Sequence, residues 1–61
     1  MSEETFKVFI EGNYAGDAPT LGEADRLARQ MAFRMGFTGP VNIRVIDDKN
    51  QIRARASIYV S

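Results

Sequence analysis

A chain of 61 residues with no cysteine, no histidine and equal numbers of acidic and basic side chains supports one small domain near the lower size limit for an independent core. Missing cysteine excludes disulfides, and with histidine also absent the usual zinc ligands, the thiolate nucleophile and the usual general base at neutral pH are gone. A net charge of zero and a pI near 6.1 argue against a domain held to nucleic acid by bulk charge.

Residues 1–4 are acidic where a secretory signal needs positive charge, and they read as a flexible tail. The longest apolar run is too short to span a bilayer, so residence in the cytoplasm without membrane contact is expected. From Thr5 to Glu11 the chain alternates, with Phe6, Val8 and Ile10 on one side and Lys7, Phe9 and Glu11 on the other. That is the signature of a half-buried strand. Gly12 and Asn13 suit the positive φ angles of a hairpin turn, after which Tyr14, Ala15 and Gly16 form a short second strand.

Thr20 followed by Glu23 is a capping box, which predicts a helix start. From there Leu21, Ala24, Leu27, Ala28, Met31, Ala32 and Met35 fall on one helical stripe. Gly36 is placed to cap the helix in the left-handed region, with Phe37 folding back on the last turn, and Gly39 with Pro40 stops any continuation.

Two more strands follow. Val41, Ile43 and Val45 alternate with Asn42, Arg44 and Ile46; Ile52, Ala54, Ala56, Ile58 and Val60 alternate with Arg53, Arg55, Ser57 and Tyr59. The run Asp47 to Asn50 reads as their turn, and the small Ala54 and Ala56 are expected beneath the helix. The predicted fold is a single α+β domain over residues 1–61, in β(β)αββ order. An antiparallel sheet of three to four strands has one helix packed on one face.

A lone helix leaves the other face of the sheet open. The alternation assigns to it Lys7, Phe9, Glu11, Asn42, Arg44, Ile46, Arg53, Arg55, Ser57 and Tyr59. Keeping both apolar sets on one side requires an even loop between the last strands, because a slip of one residue inverts every side chain. A loop over residues 47–50 sets Arg44 against Arg53; a tighter one at Lys49 and Asn50 sets Arg44 against Arg55. Either way arginine faces arginine, which is destabilising unless something anionic intervenes: Glu11, a bound phosphate or a partner's carboxylates.

Charge is also divided along the chain. Residues 1–25 hold six acidic side chains against Lys7, a net −5, and residues 26–61 hold seven basic against two acidic, a net +5. This division marks a face for acidic partners, or two halves that neutralise each other on folding. Phe33 lies opposite the core stripe, beside Arg26, Arg29 and Gln30. It reads as a partner anchor, an ordinary exposed phenylalanine, or a residue covered by the N-terminal tail.

Nothing in the chain assembles catalytic machinery. The serines and threonines lack a neighbouring base, Asp47 and Asp48 fit a turn better than a metal loop, and no glycine run matches a phosphate cradle. No enzyme activity, cofactor, metal or small-molecule substrate is expected. The layout resembles half of a ferredoxin-like or RNA-recognition fold without the aromatic strand motifs of the latter. In size and lack of catalytic residues the chain is similar to small phage or mobile-element proteins, including inhibitors of host defence, which implies a protein-binding inhibitor among the functions open to it. The sequence therefore points to a non-catalytic interaction module or small regulatory protein. It would self-associate or bind a larger protein through the open face or an edge strand. The contact set is Lys7, Phe9, Arg44, Arg53, Arg55 and Tyr59, with Phe33 apart from it. The alternative is single-stranded nucleic-acid binding, with the aromatics stacking on bases and the arginines on phosphates.

Overall fold

The computed structural model describes residues 5–60, so the expected N-terminal tail lies outside the described residues. The elements are β1 (Phe6–Ile10), β2 (Asn13–Ala18), α1 (Leu21–Arg34), β3 (Gly39–Ile46) and β4 (Ile52–Val60). The strands form a four-stranded sheet in the order β2-β1-β3-β4, antiparallel throughout. This is the α+β fold the sequence predicts, with the helix on one face.

The first hairpin turns one residue earlier than expected. Ile10 pairs with Asn13, so Glu11 and Gly12 are the turn residues, with φ of 50° and 82°, the pair of positive values a two-residue hairpin turn requires. Asn13 opens β2 instead. Glu11 tolerates the left-handed conformation because it is tied to β3 from both ends. Its N–H donates to the Asn42 carbonyl at 2.9 Å, and its carboxylate accepts from the Asn42 N–H at 2.6 Å. β2 is longer than predicted and carries a bulge opposite Val8 and Phe9, which restores Asp17 to the same face as Tyr14.

Helix α1 starts where Thr20 accepts a hydrogen bond from the Glu23 N–H at 3.1 Å; the reciprocal half of the capping box does not form among the described residues. It ends as the glycine pattern predicts. Gly36 has φ of 83°, and the Phe37 N–H donates to the Ala32 carbonyl and the Gly36 N–H to the Phe33 carbonyl, both at 3.1 Å. Phe37 thereby returns to the core edge.

The stripe of α1 is narrower than its apolar residues suggest. Ala24, Ala28 and Ala32 are buried, Leu27 and Met31 are half-buried, and Leu21 and Met35 at its ends are exposed. Methyl-sized side chains at every fourth position let the helix axis approach the sheet closely. Gly16 deepens the approach: a β-carbon there would lie 3.1 Å from a Leu27 methyl. The helix rests mainly on β1 and β2 and touches β3 and β4 only lightly. The expectation that Ala54 and Ala56 lie beneath it holds only for Ala54, which is half-buried and packs against the core, while Ala56 is exposed. Close approach comes from alanines on the helix, not on β4. The core joins those helix alanines to Phe6, Val8, Ile10, Val41, Ile43, Val45 and Ile58.

The last hairpin differs from both predicted loops. Arg44 pairs with Arg55 and Val45 with Ala54, but Ile46 pairs with Ile52, so Arg53 is an extra residue in a bulge. An odd loop over residues 47–51 plus one bulged residue keeps the parity that an even loop would have given. Asp47 organises this turn. Its buried carboxylate accepts from the backbone N–H groups of Lys49 and Gln51, each at 2.9 Å, and from the Arg53 guanidinium at 3.3 Å. Those bonds, the one from Gln51 foremost, hold the Asp47 carboxyl below its usual pKa.

A depressed pKa in the folded state means the proton binds the unfolded chain more tightly, so acid opposes folding through this group. The stability that Asp47 contributes is fully present above the ordinary aspartate range near about 3.9 and is lost as pH falls through the lower folded value. Thermal melting from pH 7 downward is expected to show Asp47→Asn less stable than the parent at neutral pH. The gap should narrow below about pH 4, whereas parallel curves would remove Asp47 from the account.

Candidate functional site

The face away from α1 is built by cross-strand rows, because residues directly opposite on neighbouring strands share a side. In the central row Tyr14 of β2 pairs with Phe9 of β1, Phe9 with Arg44 of β3, and Arg44 with Arg55 of β4. The Tyr14 and Phe9 rings meet edge to face with centroids 5.7 Å apart, and the Arg44 guanidinium lies over Phe9, 5.7 Å from the ring centre. Arg55 is the last member and makes no ion pair or ring contact among the described residues.

A second row places Asn42 against Ser57, and a third runs from Asp17 through Lys7 to Ile46 and Ile52. Tyr14 donates its hydroxyl hydrogen to Asp17 at 2.5 Å, and that bond to a carboxylate raises the phenol pKa. Between the first two rows lies an open groove of about 600 Å³, bordered by Phe9, Glu11, Asn42, Arg44, Arg55 and Ser57.

Of the predicted contact residues, Lys7, Phe9, Arg44, Arg55 and Tyr59 fall on this face. Tyr59 stands at its far corner opposite Pro40 and is 77% exposed. Arg53 does not join them. The bulge turns it toward Asp47 and over the Phe6 ring, 5.8 Å from its centre, so its place on the open face is corrected to a structural one beside the turn. Ile52, assigned to the core by alternation, moves to the open side and is 43% exposed. Phe33 sits on the outer side of α1, 70% exposed, across the molecule from the groove. Tyr14 was missed because a short, glycine-containing strand with a bulge hides its alternation; the hairpin itself carries the signal, since a turn at Glu11 and Gly12 or at Gly12 and Asn13 sets Tyr14 on the side of Phe9 and Glu11.

The like-charged pair is the distinguishing feature. Side chains directly opposite on antiparallel strands have β-carbons about 4.5–5.5 Å apart. Glu11, one candidate to neutralise the pair, accepts from the Asn42 N–H through one carboxylate oxygen and borders the same groove as both arginines, but it forms no ion pair with either among the described residues. Among the described residues, neither Arg44 nor Arg55 has an ion-pair partner; the ion pairs are Asp25 with Arg29 and Asp47 with Arg53. No group of three or more acidic side chains placed to hold a metal ion occurs among them. No helix among them is long and apolar enough to cross a membrane.

No protein-family model, curated protein or solved structure matches this chain.

An uncompensated pair should be a cost to the free domain. Arg55→Glu sets opposite charges across β3 and β4 and is expected to stabilise the fold by about 1 kcal/mol, read by urea unfolding at low salt. A loss of stability would show that the arginines already have a compensating anion within the chain.

Proposed function

We propose that this domain is a non-catalytic protein-interaction module whose open sheet face receives an acidic segment of a protein partner. The observation that carries the reading is the directly opposed Arg44 and Arg55 at the edge of the groove, neither in an ion pair among the described residues. A partner's aspartate or glutamate entering there accepts hydrogen bonds from guanidinium groups already held on one face by the sheet. Arg44 is further steadied by lying on Phe9, so little side-chain freedom is lost when it binds. Asn42 and Ser57 offer neutral hydrogen-bonding groups alongside, and Ile46, Ile52 and Tyr59 give the apolar and aromatic surface that partner contacts favour.

The nucleic-acid reading asks the same face for stacking platforms. Phe9 is half-buried, with Arg44 over its ring and Tyr14 at its edge, which leaves it poorly placed to receive a base. Tyr59 alone stands free, and the chain's net charge of zero adds no general attraction to phosphate. These observations favour the protein partner.

The test is a titration of the domain into a fluorescein-labelled glutamate-rich peptide, with labelled single-stranded RNA as the opposing arm. Peptide binding is expected to weaken as salt screens the arginines and to fall by about tenfold or more in Arg44→Ala/Arg55→Ala. RNA binding tighter than the peptide's, and lost in Phe9→Ala/Tyr59→Ala, would overturn the reading.

A further inference from the structure

Strand β4 is open in a way the other edge of the sheet is not. The opposite edge strand, β2, is interrupted by its bulge, carries Gly16 at a φ of 145° and lies under α1. All of these blunt an edge. β4 is the longest strand, nine residues from Ile52 to Val60. Its one irregularity, the bulge at Arg53, falls at its start, so residues 54–60 run as regular strand. They contain no proline or lysine and one charged side chain, Arg55, where an edge is commonly guarded by charges or proline. On the helix side α1 stops short of it, leaving a notch between Leu21 and Asp25 on the helix and Ala54 and Ala56 on the strand.

The side chains of this segment are complementary to themselves. If two copies of β4 pair antiparallel about a two-fold axis at Ser57, Arg55 of each copy faces Tyr59 of the other on the open side. On the helix side Ala56 faces Ile58 and Ala54 faces Val60. Every helix-side pair then sets a small residue against a larger one, filling the space beside the exposed Ala56. Every open-side pair off the axis sets a guanidinium against an aromatic ring. Arg55, the one arginine of the central row without a ring beside it, gains one, and Tyr59 gains a cation. A two-fold axis repeats each favourable pair, as a closed dimer requires.

We infer that the chain forms a homodimer through β4, joining two sheets edge to edge with both groove faces on the same side. This does not rest on the acidic-partner reading, since the contact is made by the strand edge, although Arg55 borders both surfaces. Sedimentation equilibrium of the full chain tests it, comparing the parent with Tyr59→Arg and with Arg55→Glu/Tyr59→Arg. Tyr59 is exposed, so its replacement leaves the core intact, which circular dichroism verifies. The parent is expected to dimerise. Tyr59→Arg, which sets guanidinium against guanidinium twice across the axis, should weaken the dimer by about tenfold or more. The double variant, which sets carboxylate against guanidinium, should restore it. A parent that stays monomeric up to about 1 mM, a dimer indifferent to Tyr59→Arg, or a double variant that stays dissociated would each overturn the assignment.

Discussion

The contact on which the rest of this molecule depends is the alanine seam of α1. Ala24, Ala28 and Ala32 bring the helix down onto β1 and β2, and Gly16 clears the space that Leu27 fills. A helix with leucines at those positions would ride higher and spread its cover toward the middle of the sheet. This one sits close and to one side. Its placement seals Val8 and Ile10 completely, yet it leaves the other face of the sheet open and covers β4 only lightly.

That asymmetry decides where function can reside. A domain this small has little apolar material to spare, and like charges directly opposite on a sheet destabilise it. Arg44 and Arg55 are opposed where the sheet faces outward, at the end of a row of stacked side chains. Two acidic groups elsewhere are settled locally: Asp47 gathers backbone N–H groups and Arg53, and Asp25 meets Arg29 one helical turn away. The face away from α1 carries the directly opposed arginine pair, and the proposed partner contact rests on it. The bulge at Arg53 contributes to both outcomes. It withdraws one arginine into the Asp47 turn and fixes the register that sets Arg55 against Arg44.

The helix and its ends were legible because capping rests on local chemistry: Thr20, Gly36 and Phe37 do what their residue types do elsewhere. The alternation of β1, β3 and β4 was legible for the same reason, and with it most of the open face. Arg53 and Ile52 were misplaced because a bulge leaves no mark in a hydrophobic pattern, and parity alone admits an odd loop with an extra residue. The hairpin turn was misplaced by one residue because Glu11 adopts a left-handed conformation through a bond to Asn42, a residue distant in sequence. The helix's lateral position, and so the exposure of Ala56, was beyond periodicity, which shows which side of a helix is buried but not which strands lie under it.

The most direct measurement is a map of amide chemical-shift changes in the ¹⁵N-labelled domain as a glutamate-rich peptide is added. The account predicts changes centred on Phe9, Asn42, Arg44, Arg55 and Ser57, with the outer side of α1 unmoved. Changes centred instead on Phe33, Arg26 and Gln30, or none on the sheet, would contradict it.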